Sequence, residues 1–133
     1  MTPIALRLIP GDDLRAALGA ALSAHGGTAA FVLAGIGSLS ATRLRIAGAD
    51  QPQAIDGDVE ILTLSGSLAV NGAHLHMSVA DANGRVLGGH VAAGCVVRTT
   101  AEVLIALLPG WHFTREADAV TGYAELAPRR AGT

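Results

Sequence analysis

His74-Leu75-His76, followed by Gly88-Gly89-His90, is the stretch of this chain whose residue types and spacing could do chemistry. Side chains alternate along a strand, so His74 and His76 share a face, with Cα atoms about 6.5 Å apart. Two imidazoles that close can each reach one metal ion at about 2.0 Å. Between the pair and His90 lies Asp81-Ala82-Asn83-Gly84, a strong turn signal. A hairpin there folds the His90 strand back beside the first. Three imidazoles then meet on one patch and leave the fourth coordination position to water, as in catalytic zinc sites. Imidazole also suits copper, nickel and iron, so the expectation is one divalent metal held by His74, His76 and His90, with zinc the first choice. The competing reading is that these histidines bond to backbone or face solvent.

Other residues carry weaker signals. Glu102 interrupts an apolar run, and a carboxylate beside a metal-activated water can act as general base. The plainer reading pairs it with Arg98 or with an arginine of a neighbouring subunit. Arg85, between the histidine strands, could bind an anionic substrate bidentately or serve as a solvated turn residue. Cys95, the single cysteine, reads as a small buried hydrophobe. His25 belongs at the end of a helix, where a cation suits the dipole. His112, beside Trp111, is expected in a loop. Gly35, Gly37, Gly88 and Gly89 form no phosphate-binding fingerprint and read as tight turns or close packing.

The elements that must position these residues follow from patterning. Half of the 133 residues are hydrophobic and only 3% are aromatic, so one domain's core is built from Leu, Val, Ile and Ala. Residues 4–9 read as a strand closed by Pro10-Gly11. Asp12 is placed to cap a helix. Leu14, Ala17, Leu18, Ala21 and Leu22 keep helical spacing until Gly26-Gly27. Strands are expected at 28–36 and 42–46, separated by a turn at Gly35-Ile36-Gly37-Ser38. A loop follows at 49–56, then a strand at 59–64, a bend or bulge at Ser65-Gly66-Ser67, and the strand again at 68–70. Asn71-Gly72 signals a hairpin, 74–80 and 85–91 are strands, and shorter strands follow at 95–97, 99–108 and 122–126. Residues 128–133 are expected to fray. One main helix near the N-terminus among eight or so strands joined by hairpin signals predicts an α+β domain spanning 1–133, with mainly antiparallel sheets.

All nine basic residues are arginine and the net charge is −2, which opposes a general nucleic-acid binder while leaving room for a local arginine patch. A lone cysteine excludes an intramolecular disulfide and suits a reducing compartment. Met1-Thr2-Pro3-Ile4 lacks a charged region followed by an apolar run, and the apolar stretch 103–108 is too short to span a bilayer. A cytoplasmic location with no membrane partner is the expectation.

Ordered motifs run through nearly the whole chain: Gly11-Asp12-Asp13-Leu14, Gly35-Ile36-Gly37-Ser38-Leu39, Glu60-Ile61-Leu62-Thr63-Leu64-Ser65-Gly66-Ser67-Leu68, His74-Leu75-His76-Met77-Ser78, and the block Asp81-Ala82-Asn83-Gly84-Arg85-Val86-Leu87-Gly88-Gly89-His90. Thr100-Ala101-Glu102-Val103 and Thr121-Gly122-Tyr123-Ala124-Glu125-Leu126 complete the set. In these the chain resembles the PPC family, the plants-and-prokaryotes-conserved domain. The resemblance implies a compact domain that assembles as a homotrimer. It also carries a DNA-binding label, which comes largely from plant relatives that join the domain to an AT-hook with an Arg-Gly-Arg-Pro core. Pro128-Arg129-Arg130-Ala131-Gly132 lacks that core. A plant segment associated with partner recruitment, Gly-Arg-Phe-Glu-Ile-Leu, reads here Gly57-Asp58-Val59-Glu60-Ile61-Leu62. A more distant fold likeness, to alpha-acetolactate decarboxylase, implies zinc on a His-x-His pair and a later histidine. His74, His76 and His90 match it in order, with a longer second spacing. The resemblance thus implies a homotrimeric binding or regulatory module with a three-histidine metal site, and the alternative is a small metal-dependent enzyme, hydrolase or lyase-like.

Overall fold

The computed structural model describes residues 1–132. Its elements, in chain order, are β1 (Thr2–Leu8), α1 (Leu14–Ala24), β2 (Ala29–Arg45), β3 (Gln53–Ile55), β4 (Val59–Ala69), β5 (Gly72–Ala80), β6 (Val86–Val91), β7 (Val96–Leu107), β8 (Trp111–Ala117) and β9 (Ala124–Arg130). One helix against nine strands, with every pairing antiparallel, is the expected α+β class.

Seven strands form the main sheet in the order β1-β7-β2-β4-β5-β6, with β3 paired to β2. β6 also returns to β2, where Leu44 faces Val91 and Arg45 faces His90. That pairing closes β2, β4, β5 and β6 into a ring. α1 covers the inner face. Its Leu14, Leu18 and Leu22 lie one above another on one stripe and are buried against Leu64, Leu68, Leu75, Val103 and Ile105 of the sheet. Each such leucine contributes about 1.5–3 kcal/mol by leaving water.

The helix begins one residue later than expected. Asp13, not Asp12, is its cap: Asp13 Oδ1 accepts from Ala16 N at 3.0 Å, and its Oδ2 accepts from Gly94 N at 2.7 Å. Asp12 instead closes the preceding turn, accepting from Ile9 N at 3.0 Å. The helix ends as predicted, with His25 as its C-cap and Gly26 at φ +65°.

Several expected boundaries dissolve. The turn expected at Gly35-Ile36-Gly37-Ser38 is a bulged stretch inside β2, which runs unbroken for 17 residues. The bulge expected at Ser65-Gly66-Ser67 is regular strand; the irregularity of β4 falls between Ile61 and Thr63. The strands expected at 95–97 and 99–108 are one strand, β7. Residues 53–55, expected in a loop, pair with β2. His112, expected in a loop beside Trp111, lies in β8, which pairs with β9.

Part of the tail expected to fray, 128–133, is strand instead. Pro128–Arg130 stay in β9 opposite Phe113, His112 and Trp111. The Arg130 guanidinium lies 4.3 Å from the Trp111 ring, and Ala131 N donates to Gly110 O at 2.9 Å. Across the hairpin, Arg129 grips Glu116 with both nitrogens, which holds the Glu116 carboxyl down at about 2. Thr133, the end of that tail, lies outside the described residues.

Gly66 lets β4 approach β5. A Cβ there would lie 2.0 Å from His74 O, and the residue sits at φ +153°. Gly66→Ala therefore forces β4 away from the histidine strand. The strain alone is about 1–3 kcal/mol, so thermal melting should show a loss of at least about 2 kcal/mol, and unchanged stability would contradict the close approach.

Candidate metal centre

The hairpin that carries the histidines forms as its sequence dictates. Asp81 Oδ1 accepts from Asn83 N and Arg85 N, both at 2.9 Å, and Gly84 takes φ +76°. Arg85 gives only its backbone N–H to this turn, and the residue is exposed. β5 buries Leu75, Met77 and Val79 in the core, so the alternate residues His74 and His76 face outward together. β6 pairs back on β5 with His90 directly opposite His76. Gly89 permits the ring to close, since a Cβ there would sit 2.8 Å from Arg45 O.

The result is a continuous row across four strands. Ser65 faces His76, His76 faces His90, and His90 faces Arg45. In the adjacent row Ser67 faces His74. His74 Nε2 lies 3.0 Å from His76 Nε2, which lies 3.2 Å from His90 Nδ1. One ligand nitrogen from each histidine falls within 4.8 Å of the other two. A tetrahedral ion with bonds of roughly 2.0–2.1 Å separates its nitrogens by about 3.3 Å. The central Nε2 of His76 has a single proton or a single lone pair, which serves two neighbours poorly as a hydrogen-bonding group. An ion accepts a lone pair from all three, so the donor set fits a metal.

The electrostatics keep two of the imidazoles neutral. His74 is held below 6.5 first by burial, then by the charge of Arg115 and by His76. His90 is lowered first by burial, then by Arg45 and by His76 and His74. Neutral imidazole is the ligating form.

His74 and His90 line a cleft of about 760 Å³ whose walls include Arg15, Arg45, Asn71, Arg115, Tyr123 and Glu125. Arg115 arrives on β8, which Asn71 fastens beside the histidine strand. Asn71 Oδ1 accepts from Arg115 N at 2.7 Å, and Asn71 Nδ2 donates to Arg115 O at 3.0 Å. The guanidinium Nη2 of Arg115 donates to Ser67 Oγ at 2.6 Å.

Glu102 is not brought to the trio. It stands exposed on β7 opposite Arg7 and Ile36, with β2 and β4 between it and β5. Nor does it pair with Arg98, which takes Asp58 at 3.2 Å. His25 Nδ1 contacts Ala21 O at 2.9 Å at the helix end, and His112 lies within β8 opposite Arg129 rather than in a loop. Cys95 is fully buried, and burial pushes its thiol up. The cleft residues Arg15, Arg45, Arg115 and Glu125 carry no local sequence signal, because each meets the histidines only through long-range pairing.

Known proteins share this fold or much of this sequence. The model of the Plants and Prokaryotes Conserved (PCC) domain matches residues 1–109. Two curated proteins from Synechococcus strains, each called bifunctional protein GlmU, are 46% identical over 91% of this chain. The chain spans about a fifth of their length, 19% and 20%. A hypothetical protein from Salmonella cholerae-suis is 38% identical with a TM-score of 0.93, covering 98% of this chain and 94% of its own. A metal-containing protein from Archaeoglobus fulgidus is 25% identical with a TM-score of 0.81, covering 96% and 94%. Solved structures of the same fold from Bacteroides thetaiotaomicron and Ralstonia eutropha, 17% and 22% identical, carry provisional DNA-binding names.

The lowered histidines have a consequence for the metal-free protein. The unfolded chain takes up protons near 6.5 and the folded chain resists them, so this contribution to stability is present above 6.5 and is lost as pH falls through the lower folded values. Melting temperature in chelator should therefore decline below pH 6.5, and it should decline less in a His74→Gln, His90→Gln double variant. Equal slopes for the two proteins would exclude these histidines as the cause. With residues 1–109 of its 133 matched by the family's model, the chain belongs to the Plants and Prokaryotes Conserved (PCC) domain family.

Proposed function

We propose that the chain is a homotrimeric binding module whose His74, His76 and His90 hold one divalent metal ion, zinc being the first choice. The convergence of three ligand nitrogens within 4.8 Å carries this reading. The metal-containing Archaeoglobus protein supports it as a relative of the same fold. The ion held by these three histidines would supply Lewis-acid chemistry. The chain's own residues orient a ligand beside it: Ser67 and Asn71 fix Arg115, and the β2–β6 pairing fixes Arg45 beside His90.

A second reading, a small metal-dependent hydrolase or lyase, is favoured by the cleft beside the trio. Binding to duplex DNA has less support. The net charge is −2, and three of the nine arginines are gathered in a cleft rather than spread along a face. No helix is long and apolar enough to cross a membrane.

The homotrimer is supported by apolar side chains left exposed along neighbouring strands. Phe31, Leu33 and Ile36 on β2, Leu62 on β4 and Leu104 on β7 are each more than a third exposed. Exposed apolar side chains on adjoining strands are the kind of surface that a subunit interface covers. Light scattering coupled to size exclusion should give three times the chain mass at micromolar concentration, and Leu33→Glu should yield smaller species. A wild-type monomer would refute the trimer.

For the metal, protein made without a histidine tag, incubated with zinc and desalted should retain one equivalent per chain by elemental analysis. His76→Ala should lose at least about 100-fold in affinity, beyond the 10–100-fold typical of outer-shell partners. Equal retention by both proteins, or by neither, removes the metal site.

A further inference from the structure

The cleft beside the histidines carries a charge that the chain as a whole does not. Arg15 reaches it from α1, Arg45 from the end of β2 and Arg115 from β8. Their recorded hydrogen bonds are to neutral acceptors. Arg15 Nη1 donates to Val91 O at 3.4 Å, Arg45 Nη1 to Ala49 O at 3.3 Å, and Arg115 Nη2 to Ser67 Oγ at 2.6 Å. The Nε of Arg115 is buried without a hydrogen-bond partner. Among the described residues the arginine–carboxylate pairs are Arg98–Asp58 and Arg129–Glu116, both away from the cleft. Glu125 is the single carboxylate on the cleft wall, and its charge reaches both Arg115 and His74.

Three guanidinium groups against one carboxylate leave a surplus of donors and of positive charge in a concave site. A guanidinium presents five N–H groups in a fixed fork that matches the oxygens of a carboxylate or phosphoryl group. An opening of about 760 Å³ has the size of a small-molecule pocket. A partly buried Arg115 with an unmatched donor is poorly satisfied by neutral neighbours and well satisfied by an oxyanion.

We propose that this cleft is an oxyanion-binding subsite, in which Arg15, Arg45 and Arg115 take the carboxylate or phosphoryl group of a small molecule. The rest of that molecule is thereby presented to His74 and His90, and in this respect the proposal rests on the metal reading above. Binding of the anion itself does not need the metal. Arg115 and Glu125 lie beyond residue 109, where the match to the family model ends. The β8–β9 hairpin therefore supplies part of the wall that selects the ligand.

The test uses the full chain freed of metal with chelator. Inorganic phosphate and malonate are titrated separately by calorimetry at constant ionic strength. One saturable site per chain is expected, weakened at least about tenfold by Arg115→Gln and by Arg45→Gln and unchanged by Arg98→Gln. The tighter of the two anions identifies the ligand group. Absence of saturable binding for both anions overturns the subsite, as does wild-type affinity in both cleft variants. Arg45→Gln stands in if Arg115→Gln fails to fold, because Arg45 makes no contact with the β8–β9 hairpin's hydrogen bonds to Asn71 and Ser67. Zinc stoichiometry is measured on the same preparations in phosphate-free buffer. Zinc retained without anion binding overturns this subsite alone; anion binding without zinc retention overturns the metal reading and leaves the oxyanion site standing.

Discussion

The return of β6 to β2 is the constraint on which the rest of the site depends. Only two residue pairs make it, Leu44 with Val91 and Arg45 with His90. It nevertheless converts an open run of strands into a ring, and a ring has a fixed circumference. His90 is thereby held between His76 and Arg45 rather than hanging on a free edge. Gly89 is what allows it, because any side chain there would press on the Arg45 carbonyl. An imidazole cluster needs placement to a fraction of an ångström, and backbone pairing on both flanks provides it.

The inner and outer faces of the ring do separate work. Inward, α1 and the sheet bury a continuous apolar core with almost no aromatic content: Phe113, in a small satellite cluster, is the one fully buried aromatic among the described residues. Outward, the same strands present histidine, serine and arginine. A period of two is enough to produce both, since each strand residue belongs to one face or the other. Polar groups are thus kept out of the core without interrupting it; Thr42, Ser38 and Ser67 are buried among the described residues, Ser67 on the histidine side beneath Arg115.

How much of this the sequence disclosed depends on the range of each interaction. The histidine hairpin was legible because alternation and an Asx turn are local: the residues that fix it are adjacent in the chain. The α+β architecture was legible from the same kind of signal, one helix-period stretch among many strand and hairpin patterns. The long strand β2 was misread as broken because glycine ordinarily signals a turn, and β7, which has no glycine, was divided at Arg98, where polar residues interrupt its apolar pattern. In β2, however, Gly37 marks a place where the neighbouring backbone comes close, with Thr100 O only 2.4 Å from where a Cβ would be. β8 was missed although Trp111-His112-Phe113-Thr114 alternates apolar and polar residues, because so short a run directly after Pro109-Gly110 was read as loop. The arginine wall was invisible for a different reason. Asn71 and Arg115 are 44 positions apart, and nothing local announces that they meet.

Cys95 sits at the opposite extreme from the histidines. Its side chain is fully buried, its sulfur exchanges hydrogen bonds with the Arg43 backbone at 3.3–3.4 Å, and burial holds it in the thiol form. Thiolate is the reactive species. A native molecule is therefore chemically silent toward alkylating reagents, and the sulfur answers only when the strands around it part. The chain thus contains its own clock for opening of the core: the speed at which a thiol reagent consumes the lone cysteine reports the population of molecules that have come apart, without any engineered label.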